Sequence, residues 1–142
     1  MALPQQLQLQ IVAVDRALVN ETVDEVEIPG ADGYFGVLPG HTPLLAMLGA
    51  GELWYRQGPG EASRHYLSIA FGFAEVTPDR VLILAQTGER AQEIDVARAE
   101  AAKKRAEQHL LTPSEMDAER ARIALMKALI RLQVADRARM RS

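Results

Sequence analysis

Short runs of alternating apolar and polar residues fill the first half of the chain, cut at close intervals by Gly, Pro, Asn and Asp. Leu7, Leu9, Ile11 and Ala13 alternate with Gln8, Gln10 and Val12, which predicts a strand with one buried and one mostly polar face. Val23, Glu25, Val26 and Ile28 predict a second strand ending at Pro29-Gly30. Residues 34–38 predict a third, between the turns Gly30-Ala31-Asp32-Gly33 and Pro39-Gly40. Strands over 52–57 and 64–70 are expected on either side of Gly58-Pro59-Gly60, and strands over 71–76 and 80–85 on either side of Thr77-Pro78-Asp79. Many short strands separated by frequent turns point to an antiparallel sandwich or barrel, not to alternating strands and helices.

Beyond Gln86 the pattern changes to Ala, Glu, Lys and Arg, with Gly88 as the last glycine. This is helix-forming composition. Asp95 is a suitable N-cap for a helix to about His109, and Thr112-Pro113-Ser114-Glu115 reads as a capping box opening a second helix from Pro113 to about Ala138. Ala121, Leu125, Ala128, Leu132 and Ala135 fall on one face of the second helix, and Ala99, Ala102, Ala106 and Leu110 on one face of the first. A link of two or three residues makes the helices antiparallel neighbours. The fold class is therefore α+β: an N-terminal antiparallel β-sandwich over residues 1–87, then a two-helix hairpin over 88–142. Facing alanines bury little area at roughly 25 cal/mol per Å², so the hairpin is expected to be a detachable module.

Charge divides the chain in the same way. Residues 1–93 hold five bases against twelve acids, a net charge of −7, whereas residues 94–142 hold eleven bases against seven acids, a net charge of +4. Halves of opposite sign imply two partners, or one half docking on the other. With no cysteine, disulfides, thiolate metal sites and cysteine nucleophiles are excluded. His41, His65 and His109 stand in no metal-ligand spacing, and no metal is expected. No apolar run approaches the ~18 residues of a membrane span, and the first residues lack the features of a signal peptide, so a soluble protein made where it works is expected. Gly33, Gly36 and Gly40 are followed by no Lys-Ser or Lys-Thr pair and read as turn glycines, not as a phosphate loop. No nucleic-acid partner is expected, because the basic tail of Arg137, Arg139 and Arg141 has no stacking aromatics near it. No Ser-His-Asp set, carboxylate pair or metal cluster can be assembled, so no catalytic residue is assigned.

Three motifs in order carry a family resemblance. They are Gly36-Val37-Leu38-Pro39-Gly40-His41-Thr42-Pro43-Leu44-Leu45; then Ser68-Ile69-Ala70-Phe71-Gly72-Phe73-Ala74-Glu75-Val76 with Val81-Leu82-Ile83-Leu84-Ala85; and the stretch from Ile94-Asp95 to Ala106. Together with the sandwich-then-hairpin order, the chain resembles the epsilon subunit of bacterial and chloroplast F-type ATP synthases over nearly its whole length. The resemblance implies a non-catalytic rotor-stalk subunit whose sandwich meets the gamma subunit and the ring of c subunits. Its hairpin would lie folded or rise along gamma to the alpha and beta subunits and there block rotation in the hydrolysis direction. It also implies peripheral attachment, through the complex, to the cytoplasmic face of the bacterial plasma membrane.

The same resemblance supplies candidate residues. Ile94, Asp95, Arg98 and Ala99 match an Ile-Asp-any-any-Arg-Ala pattern associated with ATP in some members, and Glu89, Arg105, Lys127 and Arg131 complete the implied set. Arginines at helical spacing can surround a triphosphate, although Lys127 replaces an arginine and cannot form its bidentate fork. Asp95 serves equally as a plain helix cap and the bases as a solvated face; both readings stand. No cofactor is required, and ATP would be a regulatory ligand. His41 is expected to make a structural contact to gamma, and Asp32, Tyr34 and Phe35 to face the c ring, with Tyr34 where an acidic residue often stands. The other reading of that loop is a plain hairpin tip with Tyr34 or Phe35 tucked into the core. A different class also fits the helical motif: a stand-alone nucleotide-sensing module.

Overall fold

A computed structural model describes residues 3–111 and 115–140, without side chains at 115–117. Two compact units divide between Arg90 and Ala91. The first contains seven strands: β1 (Leu7–Ala13), β2 (Ala17–Val23), β3 (Glu25–Gly30), β4 (Gly33–Val37), β5 (Leu44–Arg56), β6 (Arg64–Thr77) and β7 (Arg80–Arg90). They join edge to edge in the order β2-β1-β7-β6-β5-β3-β4. Neighbours are antiparallel except β1 and β7, which pair in parallel, Leu9 with Val81 and Ile11 with Ile83. The second unit holds α1 (Val96–Leu111) and α2 (Glu115–Met140).

Period-2 alternation builds the core. Leu7, Leu9, Ile11 and Ala13 are all buried on β1, and meet Leu18, Val19, Val23, Val26, Ile28, Leu53, Leu67, Ile69, Val81 and Ile83 in one apolar cluster. One continuous ladder encloses this cluster because its pleat reverses partway along. On β6 the inward residues are Leu67 and Ile69 before Phe71, but Ala74 and Val76 after it. On β7 they are Val81, Ile83 and Ala85, and then Gly88, whose added Cβ would meet Leu18 and Ile69. The reversal occurs where Phe71 and Gly72 take φ of 62° and 118°. Pairing continues across it without a register shift, Leu48 with Gly72 and Ala50 with Ala70. An added Cβ at Gly72 would run into the carbonyl oxygen of Leu84, so only glycine fits that corner. The long strands thereby contribute to both layers of the sandwich.

Several strands depart from expectation. Residues 17–23 form a strand of their own, β2, because Ala17 to Val23 pair with β1 across the turn at Asp15-Arg16. Residues 44–56 and 64–77 are single strands, where shorter pieces were expected, since the corner bends the chain without ending the ladder. β7 continues to Arg90, paired there with Leu67, so the division lies three residues beyond the expected one.

In the second unit α1 and α2 pack against each other. Ala99 and Ala106 on α1, and Ala121, Ala128 and Ala135 on α2, are buried at seven-residue intervals. Leu125 and Leu132 are half-buried, whereas Leu110, expected on the seam, is 37% exposed near the end of α1. The Thr112–Glu115 capping box falls on residues 112–114 and on the Glu115 side chain, which lie outside the described residues.

Candidate functional site

The outer face of the β5–β6–β7 half carries large apolar side chains in water. Met47 (63% exposed), Phe73 (51%) and Leu84 (48%) stand side by side, because Met47 pairs with Phe73 and Phe73 with Leu84. The half-buried Val12 of β1 extends the row beyond Leu84. An adjacent row runs Leu45, Glu75, Leu82, Gln10, with Leu45 71% exposed. Cross-strand neighbours lie about 5 Å apart at Cβ, so the apolar residues of the two rows form one surface, with Glu75 and Gln10 set in it. Such a surface marks a binding face more often than an accident of composition. The sequence reading missed it, although a signal was present: Val81-Leu82-Ile83-Leu84-Ala85 is apolar at both parities, so one face must remain apolar outside the core.

The turn after β4 places His41 against the chain. His41 Nδ1 lies 2.6 Å from the Thr42 carbonyl oxygen, to which it donates when protonated there. His41 lines an open cleft of about 320 Å³ with Glu25, Gly36, Leu38, Pro39 and Gly40. Among the described residues no serine or threonine lines this cleft. At the β3–β4 tip Asp32 is exposed, Phe35 packs on the core, and Tyr34 stays 57% exposed. Phe35 is thus the ring tucked toward the core, and Tyr34 is not. The Tyr34 hydroxyl accepts the Glu52 backbone N–H at 3.1 Å, which turns the ring over β5.

Seven of the eight residues of the implied nucleotide set lie in the hairpin unit; Glu89 lies on β7 of the first unit. The Asp95 carboxylate accepts the backbone N–H of Arg98 at 3.0 Å, and the Ala99 N–H bonds the Asp95 carbonyl at 3.0 Å, so Asp95 is a helix cap. Ile94 and Ala99 are buried at 8% and 0% exposure and can shape a site only as packing. Arg98 and Arg105 each precede a buried alanine of α1, and Lys127 precedes buried Ala128 of α2. In an antiparallel pair such positions fall on the same side of the seam, and Arg131, four residues from Lys127, joins them. Arg120, before Ala121, lies there too, while Glu100, Glu107 and Asp136 follow seam alanines and fall on the opposite side. The hairpin therefore has a basic flank, with Arg98 and Arg105 about 10 Å apart along the axis at 1.5 Å per residue. Among the described residues no cluster of three or more His, Asp or Glu is placed to hold a metal, and no helix is long and apolar enough to cross a membrane.

Comparison with known proteins converges on one family. Residues 6–91 match the family described as ATP synthase, Delta/Epsilon chain, beta-sandwich domain, and residues 92–136 the one described as ATP synthase, Delta/Epsilon chain, long alpha-helix domain. The chain is 46% identical over 135 residues to ATP synthase epsilon chain 2 of Syntrophotalea carbinolica, covering 94% of this chain and 96% of that one. It is 44% identical over 136 residues to the ATP synthase epsilon chain of Solibacter usitatus, covering 95% and 99%. A chain in a cryo-EM structure of the Euglena gracilis mitochondrial ATP synthase, OSCP/F1/c-ring, superposes with a TM-score of 0.80 at 27% identity, covering 95% of this chain and 84% of that one. A chain of the Tetrahymena thermophila mitochondrial ATP synthase central stalk and c ring shares the fold, with a TM-score of 0.64 at 12% identity over 93% of this chain. A sandwich with an apolar outer face, followed by a helical hairpin and matched end to end by these relatives, belongs to the ATP synthase delta/epsilon family as a bacterial-type epsilon chain.

Proposed function

We propose that this epsilon chain is a rotor-stalk subunit that docks on gamma through the Leu45–Met47–Phe73–Leu84 face. The single observation that carries this reading is that face: four exposed apolar side chains contiguous across three strands need a partner surface. The β3–β4 tip, with Asp32 exposed and Tyr34 beside it, is the part that meets the c ring, and His41 extends the gamma contact. ATP synthesis coupled to ion transport is the work of the family, and this chain takes part without making or breaking bonds. Its place is peripheral, at the cytoplasmic face of the bacterial plasma membrane, held there through the complex.

The hairpin restrains ATP hydrolysis when raised toward the alpha and beta subunits. Its alanine seam supports this reading, because small side chains hold the two helices with little buried area and let them part at modest cost. ATP is the regulatory ligand of the folded hairpin, received on the flank of Arg98, Arg105, Lys127 and Arg131. Deleting residues 91–142 tests the restraint. ATP hydrolysis by the reconstituted complex is expected to rise severalfold with synthesis retained; unchanged hydrolysis would remove the inhibitory role.

A further inference from the structure

Glu75 is out of place in its surroundings. Its carboxylate stands exposed in the middle of the apolar face, between Leu45 of β5 and Leu82 of β7, with Phe73 two residues back on its own strand. Among the described residues no hydrogen bond or ion pair engages it, and the nearest base on that face, Arg80, lies one row further along beside Thr77 with no ion pair to it. In the free chain water solvates the carboxylate. A purely apolar partner laid over Leu45, Phe73 and Leu82 would strip that water and leave a buried, unpaired charge, which opposes binding. A partner that covers this face must therefore bring a counter-charge to one defined spot.

We infer that Glu75 is the specificity-determining residue of the docking face and pairs with a lysine or arginine that the gamma subunit presents among apolar side chains. This rests on the docking reading above. Apolar rows supply the contact area, whereas the single carboxylate fixes register and rejects surfaces that lack the cation. The net charge of −7 over residues 1–93 favours approach of a basic surface in the same direction.

The test measures binding of the full-length chain to the gamma subunit of its own complex at two salt concentrations, for wild type, Glu75→Gln, Glu75→Lys and Phe73→Asp. Thermal melts check that each variant is folded. Glu75→Gln is expected to weaken binding about tenfold or more and to flatten its salt dependence, and Glu75→Lys to weaken it further, with recovery on a gamma variant of reversed charge. If Phe73→Asp abolishes binding while Glu75→Gln binds as tightly as wild type with the same salt slope, the cation pairing is wrong and the docking face stands. If neither Phe73→Asp nor the Glu75 variants change binding, the docking face itself is wrong and the pairing falls with it.

Discussion

The Tyr34 hydroxyl accepts a hydrogen bond from the backbone N–H of Glu52 at 3.1 Å, reaching from β4 across β3 to β5. β3 and β5 pair from Glu25–Arg56 to Glu27–Trp54 and again at Gly30–Leu48, with an irregularity between, where Pro29 has no N–H to give. The phenol occupies this break, with its ring above Pro29 and Gly51. A Cβ at Gly51 would meet the Tyr34 hydroxyl and approach Pro29 Cβ to 2.8 Å. An edge aromatic thus covers a strand glycine, and the β3–β4 hairpin is held to the sheet by a side chain where its ladder lapses.

Removing that acceptor takes away the hydrogen bond that the Glu52 N–H donates to the Tyr34 hydroxyl. Tyr34→Phe is expected to lower stability by about 1 kcal/mol in urea unfolding and to speed amide exchange at Glu52. Gly51→Ala forces the ring away and is expected to cost about 1–3 kcal/mol. In the Tyr34→Ala background the same substitution should cost much less, and additive losses in the double-mutant cycle would mean that the two residues do not share this contact.

Gly72 is the second glycine with a defined task. With φ at 118° and the Leu84 carbonyl where a Cβ would stand, Gly72→Ala is expected to lose at least about 2 kcal/mol and to displace Phe73 on the outer face. Calorimetric melting measures the first effect and loss of gamma binding the second.

Two ionisable groups give pH dependences of opposite sense. The Asp24 carboxyl is held below its ordinary 3.8 by the Gly58 backbone N–H at 2.7 Å, then by Gln6 and the Arg56 guanidinium. A lowered carboxyl favours the folded state above pH 3.8, and that contribution is lost as pH falls through the folded value. Asp24→Asn is therefore expected to flatten the acid limb of stability against pH. Burial, then the charge of Glu21 and its hydrogen bond with the phenol at 3.1 Å, push the Tyr55 hydroxyl up from 10.0 to about 12. A raised phenol stabilises fully below pH 10, and the contribution falls as pH rises from there to about 12. Ultraviolet titration of the phenolate in Glu21→Gln should show an earlier midpoint.

The hairpin ligand is tested by calorimetric titration of the full chain with magnesium ATP. Saturable binding is expected, weakened about tenfold by Arg98→Ala and strengthened by Lys127→Arg, which restores a bidentate fork. Absence of binding at millimolar ATP would leave the basic flank to protein partners.

Much of the fold was legible because apolar period gives element type. The alternation from Leu7 to Ala13 appears where it was expected, as do the buried Ala99, Ala106, Ala121, Ala128 and Ala135 of the hairpin, while Ala102 is only half-buried. What stayed hidden depends on partners distant in sequence. The strand at Ala17–Val23 is weakly patterned and exists because β1 lies beside it, and the parallel β1–β7 seam joins segments about seventy residues apart. The strand Arg64–Thr77 was expected as two, over 64–70 and 71–76, whereas the backbone at Phe71-Gly72 turns the pleat without breaking register. Asp95 was readable as a cap from its chemistry alone. Tyr34 was not readable as a clamp, since its acceptor role depends on a ladder gap eighteen residues away. Met47, Phe73 and Leu84 look like core residues in one dimension, and only the sheet shows them pointing outward together.

Docking on gamma is measured most directly as the dissociation constant of the full-length chain for the gamma subunit, with Met47→Asp and Phe73→Asp compared against Asp32→Ala at the hairpin tip. Both charged substitutions on the apolar face are expected to weaken binding by about a hundredfold or more, while Asp32→Ala leaves it within about twofold. Folded Met47→Asp and Phe73→Asp variants that bind gamma as tightly as wild type would contradict the assignment of this face.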